Sequence, residues 1–274
     1  MVIPIGDLNP TRRRPHINWL FLAINVGVFV WQHLALDACE QVAFVYRFAV
    51  VPQEVVGFAP LPEAAVDQLL GPCPPPGVEK IVALSVVTSM FLHADLFHLL
   101  GNMIFLAVFG DNVEDRLGKL RYALFYLAGG VIAAGSYVVL QPDSIVPLIG
   151  ASGAVAAILG AYLILSPGAR VLTYVPFPLY LLALLIPGIR IRVWFVIFAI
   201  VKMPAWLLLG GWLAYQFLAV RSPDAGNIAY EAHIAGFVAG IVLLLVLDRH
   251  RLRHGQPTFH PVRRPRRGGP RRAP

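Results

Sequence analysis

Charge is what this sequence has least of. Only 14% of its 274 residues are Asp, Glu, Lys or Arg, against about a quarter in an ordinary soluble domain. With 58% hydrophobic residues and a mean hydropathy of +0.70, that scarcity excludes a single water-soluble core and points to apolar runs that meet lipid. Cysteine is almost missing: Cys39 and Cys73 are the only two. They form no zinc-type spacing, and both a disulfide between them and two free thiols stay open. A cleavable signal peptide is not visible either. Met1 to Pro15 is polar and basic and leads straight into an apolar stretch, so insertion as an uncleaved first span is expected.

Positive charge is in excess, with a formal net charge of +7, but its placement speaks against nucleic acid. Arg12, Arg13 and Arg14 precede the first apolar run, and nine arginines lie between Arg249 and Arg272, after the last. Basic ends flanking membrane spans follow the positive-inside rule. The tail also has the composition to touch anionic lipid headgroups.

Six candidate spans are read along the chain: Ile17 to Leu36, Phe91 to Gly110, Tyr122 to Leu140, Ile145 to Leu165, Val193 to Ala219, and Ile228 to Leu247. The expected fold is therefore an all-α polytopic membrane protein with both termini cytoplasmic. Residues 1–16 make a basic N-terminus, 17–247 the membrane domain, and 248–274 a disordered Arg/Pro-rich tail. An outer loop at about 37–80 is polar and proline-rich, closing with Gly71 to Gly77 as a loop signal. The inner connections carry Arg116, Lys119, Arg121, Arg170, Arg190 and Arg192, whereas the outer ones hold Arg47, Lys80 and Arg221. Val171 to Pro187, broken by three prolines, reads as interfacial rather than spanning.

Polar side chains inside spans are costly and mark function. Here they gather in three places: His93, Asp95, His98 and Asn102; Ser152; and Glu231 with His233. Spans two, four and six all begin on the outer side, which sets His98, Asn102, Ser152 and His233 at one depth, roughly 8–10 Å down at about 1.5 Å per residue. Serine beside a base is a nucleophile. Asn102 and His98 N–H groups, with the Ser152 backbone N–H, are the donors an oxyanion needs. Each residue also has a blander reading alone. Serine hydrogen-bonds its own backbone, a lone histidine packs or relays protons, and asparagine joins helices. No aspartate follows His233 at this depth, which favours a dyad over a triad. Gly236 and Gly240 would bring span six against Gly153 and Ala157.

These residues resemble a family. Gly150-Ala151-Ser152-Gly153 looks like the GxSG motif of rhomboid proteases. His98 to Asn102 is similar to their HxxxN, and Ala232-His233 through Gly236 to Gly240 to their AHxxGxxxG. His93, Pro204-Ala205-Trp206, and Trp212 with Gln216 are lesser echoes. The resemblance covers Ile17 to Leu247 and implies a rhomboid-like six-transmembrane-helix bundle. It implies an intramembrane serine endopeptidase with Ser152 as nucleophile, His233 as general base, and Asn102 and His98 as oxyanion stabilisers. No metal or cofactor is implied. The partners implied are transmembrane protein substrates and membrane lipid, not nucleic acid, and the expected location is a bacterial inner membrane with the site opening outward. Two departures stand out. Ala156 occupies the place where some members carry a tyrosine that stacks on the histidine, and Tyr46-Arg47-Phe48 lacks their Trp-Arg pair. A catalytically silent relative that binds transmembrane clients is the alternative. A transporter is disfavoured because no inverted repeat is apparent.

Overall fold

The computed structural model describes residues 2–74, 80–175, 199–221 and 228–248. The arginine tail, Arg190, Arg192 and most of the Val171 to Pro187 stretch lie outside them. Among the described residues four helices are long and apolar enough to cross a membrane: α1 (His16–Ala35), α6 (Leu96–Leu117), α7 (Lys119–Leu140) and the last, α10 (Tyr230–Leu247). The chain is thus a multi-pass integral membrane protein. At the positions of the fourth and fifth expected spans stand shorter apolar helices, α8 (Ser152–Leu165) and α9 (Ala205–Ala219).

Helix α8 is the axis of the bundle. Its run from Ala154 to Tyr162 is almost wholly buried, as befits a helix apolar on every side. Lipid tails supply no hydrophobic drive between helices, so close backbone approach by small residues has to hold them together. The α8–α10 seam does this at every turn. A Cβ on Gly236 would strike the Gly153 carbonyl and one on Gly240 the Ala157 carbonyl, while Gly160 faces the Phe237 carbonyl. The seam expected from the Gly236 and Gly240 spacing is the one observed. On the other flank, a Cβ on Gly129 or Gly153 of the α7–α8 contact would come within 2.5 Å of Ala157 Cβ or Ala133 Cβ.

Helix α8 also starts later than expected. Span four was expected to open at Ile145, but residues 145–151 are not helical. Pro147 biases Val146 away from helix, and Gly150 adopts φ 119°, a conformation that glycine alone enters readily. The segment is pinned by a bridge between Val50 and Leu148 and by the Gly150 N–H donating to Ser89 O at 2.9 Å.

The fold is not wholly helical. Strands β1 (Ile3–Asp7), β2 (Arg170–Val175) and β3 (Ala199–Pro204) form an antiparallel sheet in that order. Asp7 pairs with Val171, and Arg170 with Pro204. Residues 199–204, expected inside span five, therefore belong to a strand, and α9 begins only at Ala205. An apolar β-branched run satisfies a hydropathy window as well as a helix does, and here sheet pairing decides.

The N-terminal segment is fastened to the far ends of α6 and α8. The Tyr162 hydroxyl donates to Asp7 Oδ2 at 2.6 Å and Asn112 Nδ2 does so at 2.9 Å. Glu114 accepts the Ile17 and Asn18 N–H groups at 3.1 and 2.7 Å, a carboxylate on the positive end of α1. Arg116 pairs with Asp248 at 2.5 Å.

At the opposite end, the expected outer loop contains three further helices, α2 (Ala38–Phe48), α3 (Pro52–Gly57) and α4 (Glu63–Leu70), and α5 (Val82–Thr88) follows it. Asp37 and Glu40 close a capping box on α2. Cys39 and Cys73 are joined in a disulfide with their Cα atoms 5.2 Å apart. Beneath it, Lys80 and Glu54 form a buried ion pair. Glu54 Oε1 also accepts from the Tyr46 hydroxyl at 2.9 Å and from Leu61 N at 3.1 Å. Burial pushes the Lys80 ammonium below its ordinary value, against the pull of Glu54.

Candidate functional site

Three helices begin at the same end of the bundle, and each carries a polar residue of the sequence motifs in its first two turns. In α6 Asp95 is the N-cap and accepts the His98 N–H at 2.9 Å, which fixes the turn that presents His98 and Asn102. In α8 the first residue is Ser152 itself. In α10 His233 follows Tyr230 by three residues. The residues thus meet at one end of the bundle, though not by the route that span parity suggested. Ser152 does not stand two turns down a helix, because the non-helical segment 145–151 carries the chain to it.

His233 Nε2 and Ser152 Oγ lie 2.8 Å apart, within the reach a base needs to take a hydroxyl proton. The first N–H groups of α8 have no carbonyl a turn earlier to bond, since Val155 N is the first to close on Ala151 O. The Ser152 N–H and its neighbours therefore add donors and the positive end of a dipole where the serine sits. His98 Nε2 lies close over Gly150, where a Cβ would come within 2.7 Å of it. Gly150 is required twice, by its φ and by this contact. Asn102 Nδ2 donates to His98 O at 3.0 Å, and an amide nitrogen has a second hydrogen to give.

Ser152, His233, His98, Asn102, Gly150 and Trp212 line one cavity of about 700 Å³. The structure thus brings together all four expected site residues. His93 lies behind them, fully buried, its ring edge-on to His98 at 5.1 Å.

Trp212 and Gln216 were noticed in the sequence, but their contacts with His233 were not. Ala156 leaves His233 without a tyrosine from α8, but the histidine is not bare: the Trp212 ring lies 6.0 Å away at 37° and the Tyr230 ring 6.2 Å away at 87°. Gln216, on α9, places Oε1 2.8 Å from His233 Nδ1. A strongly polar side chain one turn after Trp212 in an otherwise apolar helix was the available signal.

The description "Rhomboid domain" belongs to the family model that matches residues 82–250, more than half the chain. The chain belongs to the rhomboid family. It is 31% identical over 172 residues to "Rhomboid protein 1, mitochondrial" of Saccharomyces cerevisiae, covering 58% of this chain and 40% of that protein. To "Rhomboid-related protein 2" of Mus musculus it is 31% identical over 129 residues, 47% of this chain and 40% of the relative. A third relative, "Presenilin-associated rhomboid-like protein, mitochondrial" of Bos taurus, is 33% identical over 93 residues, 33% of this chain and 25% of its own length. The rhomboid match thus spans two fifths or less of these relatives.

Proposed function

We propose that this rhomboid is an intramembrane serine endopeptidase acting on transmembrane or membrane-proximal protein segments. The reading rests on one observation above all. Ser152 Oγ is 2.8 Å from His233 Nε2 at the open first turn of α8, inside a cavity that also holds Asn102 and His98.

The chemistry follows from the placement. His233 Nε2 takes the Ser152 hydroxyl proton as Oγ bonds to the carbonyl carbon of the scissile amide. The oxygen, now negative, is met by the Ser152 N–H, the Asn102 amide and His98. The C–N bond then breaks, and the departing amine takes the proton from His233. What remains is an ester on Ser152. Water attacks that ester, His233 receives its proton and returns one to Oγ, and the acid product leaves. A substrate helix must unwind near the site, because its amides are otherwise sealed in i to i+4 bonds. Helix-breaking residues at the cleaved segment should favour the reaction.

The same reading includes a six-span arrangement with both termini cytoplasmic, in which α8 and α9 serve as the fourth and fifth spans. Residues 17–247 form the protease domain between a basic N-terminus and a tail suited to lipid headgroups. Charge placement supports this orientation. Arg116, Lys119 and Arg121 cluster at the end away from Ser152, as the positive-inside rule asks of the cytoplasmic face. The site then opens outward, as in a bacterial inner-membrane enzyme.

A fluorophosphonate probe tests the assignment. Wild-type protein should label, Ser152→Ala should not, and His233→Ala should fall to the level of Ser152→Ala. Equal labelling of wild type and Ser152→Ala would overturn it. A folded wild type that takes no probe would point to a silent member that binds transmembrane clients.

A further inference from the structure

His233 is engaged at both ring nitrogens. Nε2 faces Ser152 Oγ at 2.8 Å, and Nδ1 faces Gln216 Oε1 at 2.8 Å. Gln216 is only 3% exposed in a helix whose other residues are apolar, where an unpaired amide is costly. Both ends of that amide are occupied. Nε2 of Gln216 donates to the Trp212 carbonyl one turn back, at 3.4 Å, which leaves Oε1 for the histidine.

We propose that Gln216 is a positioning residue: its carbonyl holds the proton of His233 on Nδ1, so that the Nε2 lone pair faces Ser152. The inference rests on the Ser152–His233 reading given above and extends it from a dyad to a dyad with a neutral third member. The opposite arrangement fails on two counts. Turning the amide would aim its NH2 group at Nδ1, which must then be unprotonated, and Nε2 would carry the hydrogen. A protonated Nε2 can donate to the serine oxygen but cannot take its proton. The same turn would set Oε1 of Gln216 against the Trp212 carbonyl oxygen, two acceptors with no hydrogen between them.

In soluble serine hydrolases a carboxylate fixes the tautomer and also stabilises the imidazolium. An amide can do only the first. It suits a place where an unpaired carboxylate would be expensive to bury. Trp212 contributes twice, since its carbonyl orients the Gln216 amide while its ring lies beside His233. The tautomer at the site is thus set by α9, although neither partner of the dyad lies on that helix.

The test uses the full chain in detergent micelles, the fluorophosphonate probe, and labelling rates at saturating and half-saturating probe. Ser152→Ala is run in parallel. If labelling does not depend on Ser152, the underlying reading falls and the Gln216 role with it. Given Ser152-dependent labelling, Gln216→Met should lower the maximal rate about 10- to 100-fold and leave the half-saturating concentration unchanged. The 15N resonances of His233, assigned by their loss in His233→Ala, should report one Nδ1-protonated tautomer in wild type and a mixture in Gln216→Met. Gln216→Glu keeps an acceptor at the same place and should recover the rate to within several-fold. A wild-type rate in Gln216→Met would overturn the proposal. So would Gln216→Glu impaired as deeply as Gln216→Met with the tautomer unchanged in both.

Discussion

The seam between α8 and α10 and the periphery of the bundle are held by opposite means. Along the seam, Gly153, Ala157, Gly160, Gly236 and Gly240 let backbones touch. The polar contacts at its mouth, from Ser152 through His233 to Gln216, are between side chains that carry no formal charge when His233 is neutral. The periphery is fastened by ionised groups: Lys80 with Glu54 near the site end, and Glu114 on the N-terminus of α1 and Arg116 with Asp248 at the other. Small residues set distances to fractions of an ångström. Charge pairs set strength. The two kinds of damage should therefore separate: periphery lesions should cost stability and seam lesions should cost chemistry.

The largest loss of stability is expected from Glu54→Gln. It removes one member of a buried pair and strands Lys80, which should cost about 3–5 kcal/mol. Thermal unfolding in micelles should show it, while labelling per folded molecule stays at the wild-type rate. A wild-type melting temperature would contradict the account of the periphery. Gly240→Leu attacks the seam. Its Cβ would overlap the Ala157 carbonyl, and overpacking of this kind costs about 1–3 kcal/mol. Because α10 must move away from α8, His233 should lose its distance to Ser152 and labelling should fall about 100-fold. Retained labelling would show that the seam does not set the Ser152–His233 distance.

The smallest effect is expected at Asp7, and it depends on pH. Burial raises the Asp7 carboxyl above its ordinary value, against the hydrogen bonds from Tyr162 and Asn112. The fold therefore favours the protonated form. Its contribution is fully present below the unfolded value and is lost as pH rises through the higher folded one. Asp7→Asn should flatten the decline in melting temperature that sets in as pH rises above the ordinary carboxyl value of 3.8. An unaltered slope would remove Asp7 from the account.

The sequence carried the site further than the fold. His98, Asn102, Ser152 and His233 were legible because each is a polar residue where lipid makes polarity costly, and because span parity put them at one level. The seam was legible from the four-residue interval between Gly236 and Gly240. What hydropathy could not tell was where helices begin. Ile145 to Gly150 is as apolar as the helix after it, and only Pro147 and the φ of Gly150 decide that α8 opens at Ser152. Strands β2 and β3 hid for the same reason, an apolar run being ambiguous until its pairing partner is known. The disulfide between Cys39 and Cys73 was one of two open readings, and the ion pair of Glu54 with Lys80 was beyond reach. Their partners lie 34 and 26 residues apart, and nothing local links them. Gln216 lay between the two cases: its polarity was visible, but not that α9 would face it toward α10.

The late start of α8 has one more consequence. Its 14 residues rise only about 21 Å, while a hydrocarbon layer is about 30 Å deep. In the proposed six-span arrangement the missing third would be taken up by the non-helical chain ending at Ala151, whose amides no helix satisfies. Such backbone is tolerated at that depth only where protein covers it or water reaches it. Here protein covers part of it, since the Leu148 and Gly150 N–H groups donate to Val50 O and Ser89 O at 2.7 and 2.9 Å. In the proposed reaction, the polar cavity beside that covered chain would admit the hydrolytic water.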